Sequence, residues 1–190
     1  MPCAHSHSCQ TQLQSAATTV QIPRKPDLVI PSDQQEILIP DLQVASVYPI
    51  TFTVPASNHK VGNIRLTLNG LEHTYLPDVT IILSSPDNTA AYVWSGGDNG
   101  DGLVGTVSIM IGNIGPPLGI NGSYIYTGQY YNPSAWNPRT LQSPAPVASN
   151  PYFSNFYGLD VGGTWNLWIE DLVGGDSGSL LSATLSIWYQ

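Results

Sequence analysis

The turn near the C-terminus concentrates acidic side chains. It runs from Glu170 to Gly178 as EDLVGGDSG, with three acids, three glycines and no basic residue. Carboxylates this close together repel one another unless a cation lies between them. Calcium binds carboxylate and backbone carbonyl oxygens, and glycine allows the backbone to turn its carbonyls inward. The pattern therefore predicts a calcium site that includes Asp171 and Asp176.

A second acidic turn, from Gly96 to Gly102, has the Asp-Asn-Gly-Asp-Gly sequence of a calcium loop. It lacks the glutamate that closes an EF-hand, and an ordinary Asx-Gly turn between two strands is the alternative. A further aspartate stands at the start of an apolar strand upstream. We predict that one or two calcium ions take their ligands from five aspartates: Asp78, Asp98, Asp101, Asp171 and Asp176.

The N-terminal segment carries four side chains of the types that bind transition metals. Residues 1–36 are polar and are broken by prolines in the sequence PRKPD, which predicts an N-terminal arm. In an extended strand, alternate side chains point to one face, so the four could hold a transition metal alone or around a symmetry axis. A flexible tail is the alternative. The four side chains are Cys3, His5, His7 and Cys9.

The GDSG sequence ending at Gly178 resembles the nucleophile motif of chymotrypsin-like proteases, in which a serine lies beside an oxyanion hole. Those proteases need a further half-barrel after the serine, whereas only one strand follows Ser177. Glu170 and Asp171 suggest paired-carboxylate hydrolysis, but neighbouring strand residues point to opposite faces. Because no full catalytic set appears elsewhere, we predict that the chain is not an enzyme.

Composition narrows the classes of partner. The 190 residues are 42% hydrophobic and 9% charged, with a net charge of -8, so one core is expected and basic clusters are absent. Nucleic acids and anionic membranes attract such clusters, and we expect the chain to bind neither. No apolar run could span a bilayer, and no signal peptide is recognisable. We expect a location outside the cell or on a particle surface, with synthesis in the cytoplasm unless a signal peptide has been removed.

Alternating apolar and polar residues predict half-buried strands after the arm. The pattern is clear at 48–54, 64–68, 165–169 and 181–187, and the apolar run 79–83 predicts a more deeply buried strand. Eighteen glycines and sixteen prolines indicate short strands joined by long turns. We therefore predict an all-β sandwich or barrel that begins near Ile37.

Separated motifs in this body occur in the order found in a known family. They resemble the P domain, also called the Homo B domain, of proprotein convertases and bacterial subtilisin-like proteases. The resemblance covers about residues 37–190. The motifs are Ile39-Pro40-Asp41, His73-Thr-Tyr75, Asp78–Leu83, Ser85-Pro86 with Thr89, Asn137-Pro138 with Leu141, Phe156 with Gly158, Gly163–Leu167, Asp171, and Gly175–Gly178 with Leu180.

The resemblance implies a jelly-roll β-sandwich of about eight or nine strands, often bound to calcium and without catalytic activity. It also implies that His73 is a structural histidine at a strand end. In the family this domain stabilises or regulates an attached protease, and residues 1–36 are too few to form one. We expect a calcium-stabilised structural or interaction module of a larger assembly, such as a virus or phage particle or a surface appendage. The alternatives are an accessory P domain of a secreted subtilisin-like protease system and a carbohydrate-binding module.

The stretch from Gly112 to Pro151 is rich in aromatic residues among Gly, Asn, Ser and Pro. Surface aromatic rings stack on sugars or anchor protein interfaces, whereas the alternative is that they cover the open end of the sandwich. Trp168 and Trp188 alternate out of phase with the residues predicted to enter the core. They form either a second packed layer or a contact patch. We expect the partners to be proteins or further copies of this chain, and the predicted interaction surface is Tyr124, Tyr126, Tyr130, Tyr131 and Trp136.

Overall fold

The computed structural model describes residues 24–97, 103, 105–119 and 124–190. Within these residues the regular secondary structure is almost entirely β-strand, with two short 3-10 turns at Leu76–Asp78 and Phe153–Phe156. The strands, in chain order, are β1 Leu28–Pro31, β2 Ile37–Ile39, β3 Ile50–Val54, β4 Val61–His73, β5 Val79–Ser84, β6 Ala90–Ser95, β7 Val107–Ile111, β8 Tyr130–Tyr131, β9 Ser134–Ala135, β10 Gly163–Asp171 and β11 Gly178–Tyr189.

The strands form two sheets that enclose one core, so the predicted all-β sandwich is confirmed. One sheet has the order β1-β11-β4-β7-β8, with β2 also paired to β11, and the other has the order β3-β10-β5-β6-β9. Most pairs are antiparallel, whereas β6 with β9 and β7 with β8 are parallel. No helix among the described residues is both long enough and apolar enough to span a bilayer.

The predicted alternation determines which side chains enter the core. Trp165, Leu167 and Ile169 of β10 are fully buried, and so are Leu185 and Ile187 of β11. The indole N–H of Trp165 donates to the carbonyl of Val161 at 3.0 Å, which satisfies its one polar atom inside the core. Period-two burial on both long strands therefore brings the two sheets together through their apolar faces.

The first strand lies inside the segment that the sequence assigned to the arm. Strand β1 pairs with β11, with Leu28 opposite Ile187 and Pro31 opposite Thr184. The sandwich thus begins well before Ile37, and residues 28–36 belong to it. A four-residue strand ending in proline gives too short an alternation to recognise, and proline is tolerated there because β1 is an edge strand.

The outer face of the five-stranded sheet is covered by the segment 137–151. Trp168 points to this face and packs with Ile82, Tyr92, Leu141 and Ala148 in a second buried cluster. The Tyr92 hydroxyl donates to the Arg139 carbonyl at 3.2 Å. Of the two alternatives for Trp168, the second packed layer is the correct one.

Gly178 offers a test of how tightly β11 enters the six-stranded sheet. It pairs with His73 on one side and Ile39 on the other, and a Cβ at this position would lie 2.1 Å from the Glu72 carbonyl oxygen. Because that atom is backbone, the strands must move apart to accept a side chain. We expect Gly178→Ala to lower the free energy of unfolding by about 1–3 kcal/mol or more, measured by urea denaturation.

Gly174 is the matched control. A Cβ there would meet only the Asp41 carboxylate oxygen at 3.6 Å, which is an ordinary contact. Gly174→Ala is expected to change the free energy of unfolding by about 0.5 kcal/mol or less. Equal losses in the two variants would contradict the close approach at Gly178.

Candidate functional site

Three buried titratable side chains meet at one end of the sandwich. His73 ends β4, Asp78 precedes β5, and Asp171 ends β10 opposite Val79. The side chains of His73 and Asp171 are completely buried, and Asp78 is only 5% exposed. Nε2 of His73 lies 3.3 Å from Oδ2 of Asp171, although the angle falls outside hydrogen-bond geometry and leaves both atoms without another partner.

The hydrogen bonds of His73 determine what it can do. The backbone N–H of Tyr75 donates to Nδ1 of His73 at 3.2 Å, so a neutral ring carries its proton on Nε2, facing Asp171. Nδ1 is therefore occupied by a backbone N–H and Nε2 faces Asp171, and no hydrogen bond among the described residues joins His73 to Ser177. The backbone of Ser177 is held separately by Thr74, whose hydroxyl accepts its N–H at 3.1 Å. The GDSG sequence thus lies beside a histidine whose ring nitrogens face Tyr75 and Asp171 rather than the serine that would act as nucleophile.

Arg139, which sequence reasoning did not assign to this site, lies beside the buried aspartates. Burial raises the pKa of Asp78, and the negative charges of Asp171 and Asp176 raise it further, whereas Arg139 and His73 act in the opposite direction. Nη1 of Arg139 donates to the carbonyl of Asp78 at 3.2 Å across 61 residues of chain. Part of the positive charge attributed above to a bound cation is therefore supplied by the protein.

The predicted calcium ligands are only partly brought together. Asp171 and Asp176 are both close enough to Asp78 to raise its pKa. In the described part of the chain, no group of three or more His, Cys, Asp or Glu side chains is arranged to hold a metal ion. The other predicted ligands lie outside the described residues: Asp98 and Asp101 of the second turn, and Cys3, His5, His7 and Cys9 of the arm.

The acidic turn itself is ordered by hydrogen bonds. The N–H of Val173 donates to Oδ1 of Asp171 at 3.0 Å, and the N–H of Gly175 donates to Oδ1 of Asp41 at 2.8 Å. Glu170 points to the opposite face, as predicted, where its carboxylate accepts the N–H of Gln142 at 2.7 Å. Glu170 and Asp171 therefore hold two different parts of the chain and share no site.

The predicted aromatic surface is divided between the two sheets. Tyr124, Tyr126, Tyr130 and Trp136 are 37–59% exposed. Tyr131 was wrongly included in this surface: it is 8% exposed and lies in the core, because alternation along β8 turns Tyr130 outward and Tyr131 inward. Strand β8 is at the edge of the six-stranded sheet, whereas Trp136 follows β9 at the edge of the five-stranded sheet.

An aromatic groove, which sequence reasoning did not find, lies on the outer face of the six-stranded sheet. It encloses about 550 Å³ and is lined mostly by apolar atoms. At its centre the Arg65 guanidinium lies 5.3 Å from the ring centre of Trp188 and 5.9 Å from that of Tyr130. The only feature of the sequence that pointed to this groove was the predicted outward position of Trp188. We call this the aromatic groove; its side chains include Arg24, Asn63, Arg65, Ile114, Tyr130 and Trp188.

Most polar groups of the aromatic groove already have partners. The Tyr157 hydroxyl donates to Oδ1 of Asn63 at 3.0 Å and accepts a hydrogen bond from Asn113, and burial raises the pKa of Tyr157. Arg24 binds both carboxylate oxygens of Asp27, at 2.6 and 2.8 Å. Within the described residues, no carboxylate forms an ion pair with Arg65.

Comparison with known proteins gives distant matches only. No protein-family model matches the chain, and no curated protein matches it. The serine protease of Aeromonas sobria is similar to it with a TM-score of 0.42 and 18% identity over 87% of this chain. The complex of that protease with its chaperone ORF2 gives a TM-score of 0.41 and 17% identity over 86%. This chain spans 27% of the length of each matched chain, and similarities of this size decide neither activity nor partner.

The raised pKa of Asp78 leads to a pH-dependent prediction. The Asp78 carboxyl binds its proton more tightly in the folded protein than in the unfolded chain. Ionised Asp78 therefore lowers the free energy of unfolding at neutral pH. This cost disappears as the pH falls through the raised pKa toward the ordinary value of 3.8. We expect the stability of Asp78→Asn relative to the wild type to be highest near neutral pH and to decline on acidification. Thermal unfolding in chelator across this range measures the difference.

Asp87 provides a control of opposite sign. The Ser85 hydroxyl donates to its carboxylate and lowers the pKa of Asp87, so the ionised group stabilises the folded state above 3.8. Asp87→Asn should therefore be less stable than the wild type near neutral pH, and the difference should disappear as the pH falls through the lowered pKa. Parallel pH profiles for the two variants would contradict both assignments.

Proposed function

We propose that the protein is a non-catalytic binding module that contacts a protein partner through the aromatic groove. The observation that carries this proposal is the difference between the two outer faces of the sandwich. The five-stranded sheet is covered by its own segment 137–151, whereas the six-stranded sheet bears a groove with an exposed apolar wall. Ile114 is 59% exposed at that wall. Aromatic and aliphatic side chains around an arginine are typical of the centre of a protein interface.

A protein partner agrees better with the groove than a carbohydrate or a nucleic acid. Sugar hydroxyls need many hydrogen-bonding groups, whereas the groove is lined mostly by apolar atoms. The Tyr157 hydroxyl also occupies Oδ1 of Asn63 and Nδ2 of Asn113. A nucleic acid needs several free cations, whereas the chain has five Lys and Arg residues and a net charge of -8. The apolar lining favours side chains of a protein.

For the identity of the partner we propose two classes. The first is a larger assembly built from or decorated by this chain, such as a virus or phage particle or a surface appendage. The alternative is a subtilisin-like protease for which the chain acts as an accessory domain outside the cell. The resemblance of the sequence motifs to the P domain supports this alternative. One motif residue, Gly178, lies where the neighbouring backbone leaves no room for a side chain, so the sandwich requires a glycine there.

The binding proposal is tested by placing a charge in the groove. Ile114→Asp should abolish binding because desolvating a carboxylate against apolar groups is costly. A random peptide library displayed on phage is selected against the wild type and then screened against the variant. Leu38→Asp is the matched control, since Leu38 is also 59% exposed and lies outside the aromatic groove.

We expect peptides that bind the wild type and Leu38→Asp but not Ile114→Asp. Sedimentation of the same three proteins tests whether the occupant is a second copy: an oligomer lost only in Ile114→Asp would show this. If no peptide distinguishes Ile114→Asp from Leu38→Asp, and the three proteins sediment alike, the groove is not the binding surface.

We also propose that calcium binds at the acidic end and stabilises the fold. Support comes from the repulsion that Asp171 and Asp176 exert on Asp78, which Arg139 offsets only in part. The carboxylate oxygens of these three aspartates are the type of ligand that calcium prefers. Asp171 is the most deeply buried of the three.

A ligand that binds only the folded state stabilises it, by about 2.7 kcal/mol at a hundredfold excess over Kd. For a chain of this size we expect calcium to raise Tm by about 5–10 °C relative to chelator. Asp171→Asn should lose this increase, and magnesium is the control ion. Calorimetry that shows no heat on adding calcium, together with an unchanged Tm, would refute calcium binding.

A further inference from the structure

We infer that the ligand of the aromatic groove is a peptide segment with one carboxylate flanked by apolar side chains, and that Arg65 binds this carboxylate. The inference rests on the proposed function, because it names the chemistry of the partner at the same groove. It is carried by the position of Arg65, by its hydrogen bonds and by the charges around it.

Among the described residues, the groups that hold Arg65 in place are neutral. Its Nη1 donates to the Tyr130 hydroxyl at 3.3 Å and its Nη2 donates to the Ser186 hydroxyl at 3.4 Å, both long contacts. The rings of Trp188 and Tyr130 add cation–π attraction. Each Nη carries two N–H groups, so these contacts leave one N–H on each nitrogen for a ligand.

The charge of Arg65 lacks the counter-ion that a partly buried guanidinium usually has. Nε of Arg65 is buried without a hydrogen-bond partner, and no described carboxylate pairs with the side chain. A partly desolvated cation without an anion is unfavourable. A ligand carboxylate would offset this cost, because arginine and carboxylate form paired, charge-assisted hydrogen bonds.

The surroundings limit the ligand to a single negative charge. Arg24, the other cation of the groove, is already neutralised by both oxygens of Asp27. With a net charge of -8 for the whole chain, a ligand with many negative charges would be repelled. The exposed wall at Ile114 and the apolar lining favour hydrophobic residues on either side of the carboxylate.

The experiment uses the full chain and the same displayed random peptide library, selected separately against the wild type and Arg65→Gln. We expect peptides selected by the wild type to contain an Asp or Glu between apolar residues, and this enrichment to disappear with Arg65→Gln. One selected peptide is then synthesised in two forms, with Glu and with Gln. The Glu form should bind the wild type about tenfold or more tightly than the Gln form, as expected for a charged hydrogen bond.

Against Arg65→Gln the two peptides should bind with similar affinity. Arg65→Lys keeps the charge but not the paired geometry, so it should recover only part of the preference for Glu. The indole N–H signal of Trp188 in nuclear magnetic resonance spectra should shift on binding, which locates the peptide in the groove. Circular dichroism of both variants checks that Arg65 substitution leaves the sandwich folded.

The outcomes separate this inference from the proposed function. Selected peptides that contact the groove but have no acidic residue would overturn the inference and leave the binding function intact. The absence of any peptide sensitive to Ile114→Asp, with the wild type and both variants sedimenting alike, would overturn both. A shift of the Trp188 signal by a neutral oligosaccharide, with no selected peptide, would also overturn both and assign the groove to carbohydrate.

Discussion

The pairing of β4 with β11 is the constraint on which the rest of the sandwich depends. Ile64 lies opposite Ile187 and Leu66 opposite Leu185, and these four side chains enter the core. Between them Arg65 lies opposite Ser186 on the outer face. Because side chains alternate along a strand, a slip of one residue would exchange the two faces. The same register that buries the aliphatic residues therefore holds Arg65 outside and forms the floor of the aromatic groove.

The two sheets use outward-facing tryptophans in different ways. On the five-stranded sheet, the indole N–H of Trp168 donates to the Ser84 hydroxyl at 3.0 Å, and the Tyr48 ring packs edge-on against it at 5.0 Å. On the six-stranded sheet, Trp188 contacts Arg65 and donates to the Arg24 carbonyl at 2.6 Å. The difference arises because segment 137–151 crosses one face and leaves the other with a groove. A sandwich that covers one face and leaves an apolar groove on the other is suited to contact another molecule there.

How much could be predicted from the sequence depended on whether the physical cause is local. Alternation along β10 and β11 is local, so both strands were predicted correctly. Their buried residues were also predicted correctly apart from Leu181, which is 52% exposed, whereas Leu180 is buried. The inward parity of Asp171 and the outward parity of Glu170 follow from the same rule. The short β1 was missed because four residues carry too little pattern, and its stability comes from pairing with a strand at the other end of the chain.

Side-chain sites made by distant residues were harder to predict. Arg139 reaches Asp78 across 61 residues, and the sequence offered only an acidic turn without a nearby base. For the aromatic groove the outward position of Trp188 could be recognised, but not that Arg65 and Tyr130 would lie beside it, since strand order is not readable from alternation. The Tyr-rich segment was predicted as one surface, whereas its strands join the edges of two sheets.

The two arginines of the sandwich body differ in how their charges are balanced. Arg139 lies beside Asp78 in a cluster of carboxylates, so its charge partly neutralises acids of the chain itself. Arg65 has two hydroxyls and two aromatic rings around it but no carboxylate among the described residues. In a chain with far more acids than bases, a cation that pairs with none of the described acids is unexpected on electrostatic grounds alone. Its placement is accounted for if the missing anion belongs to a partner, because the attraction then acts only when the partner is bound.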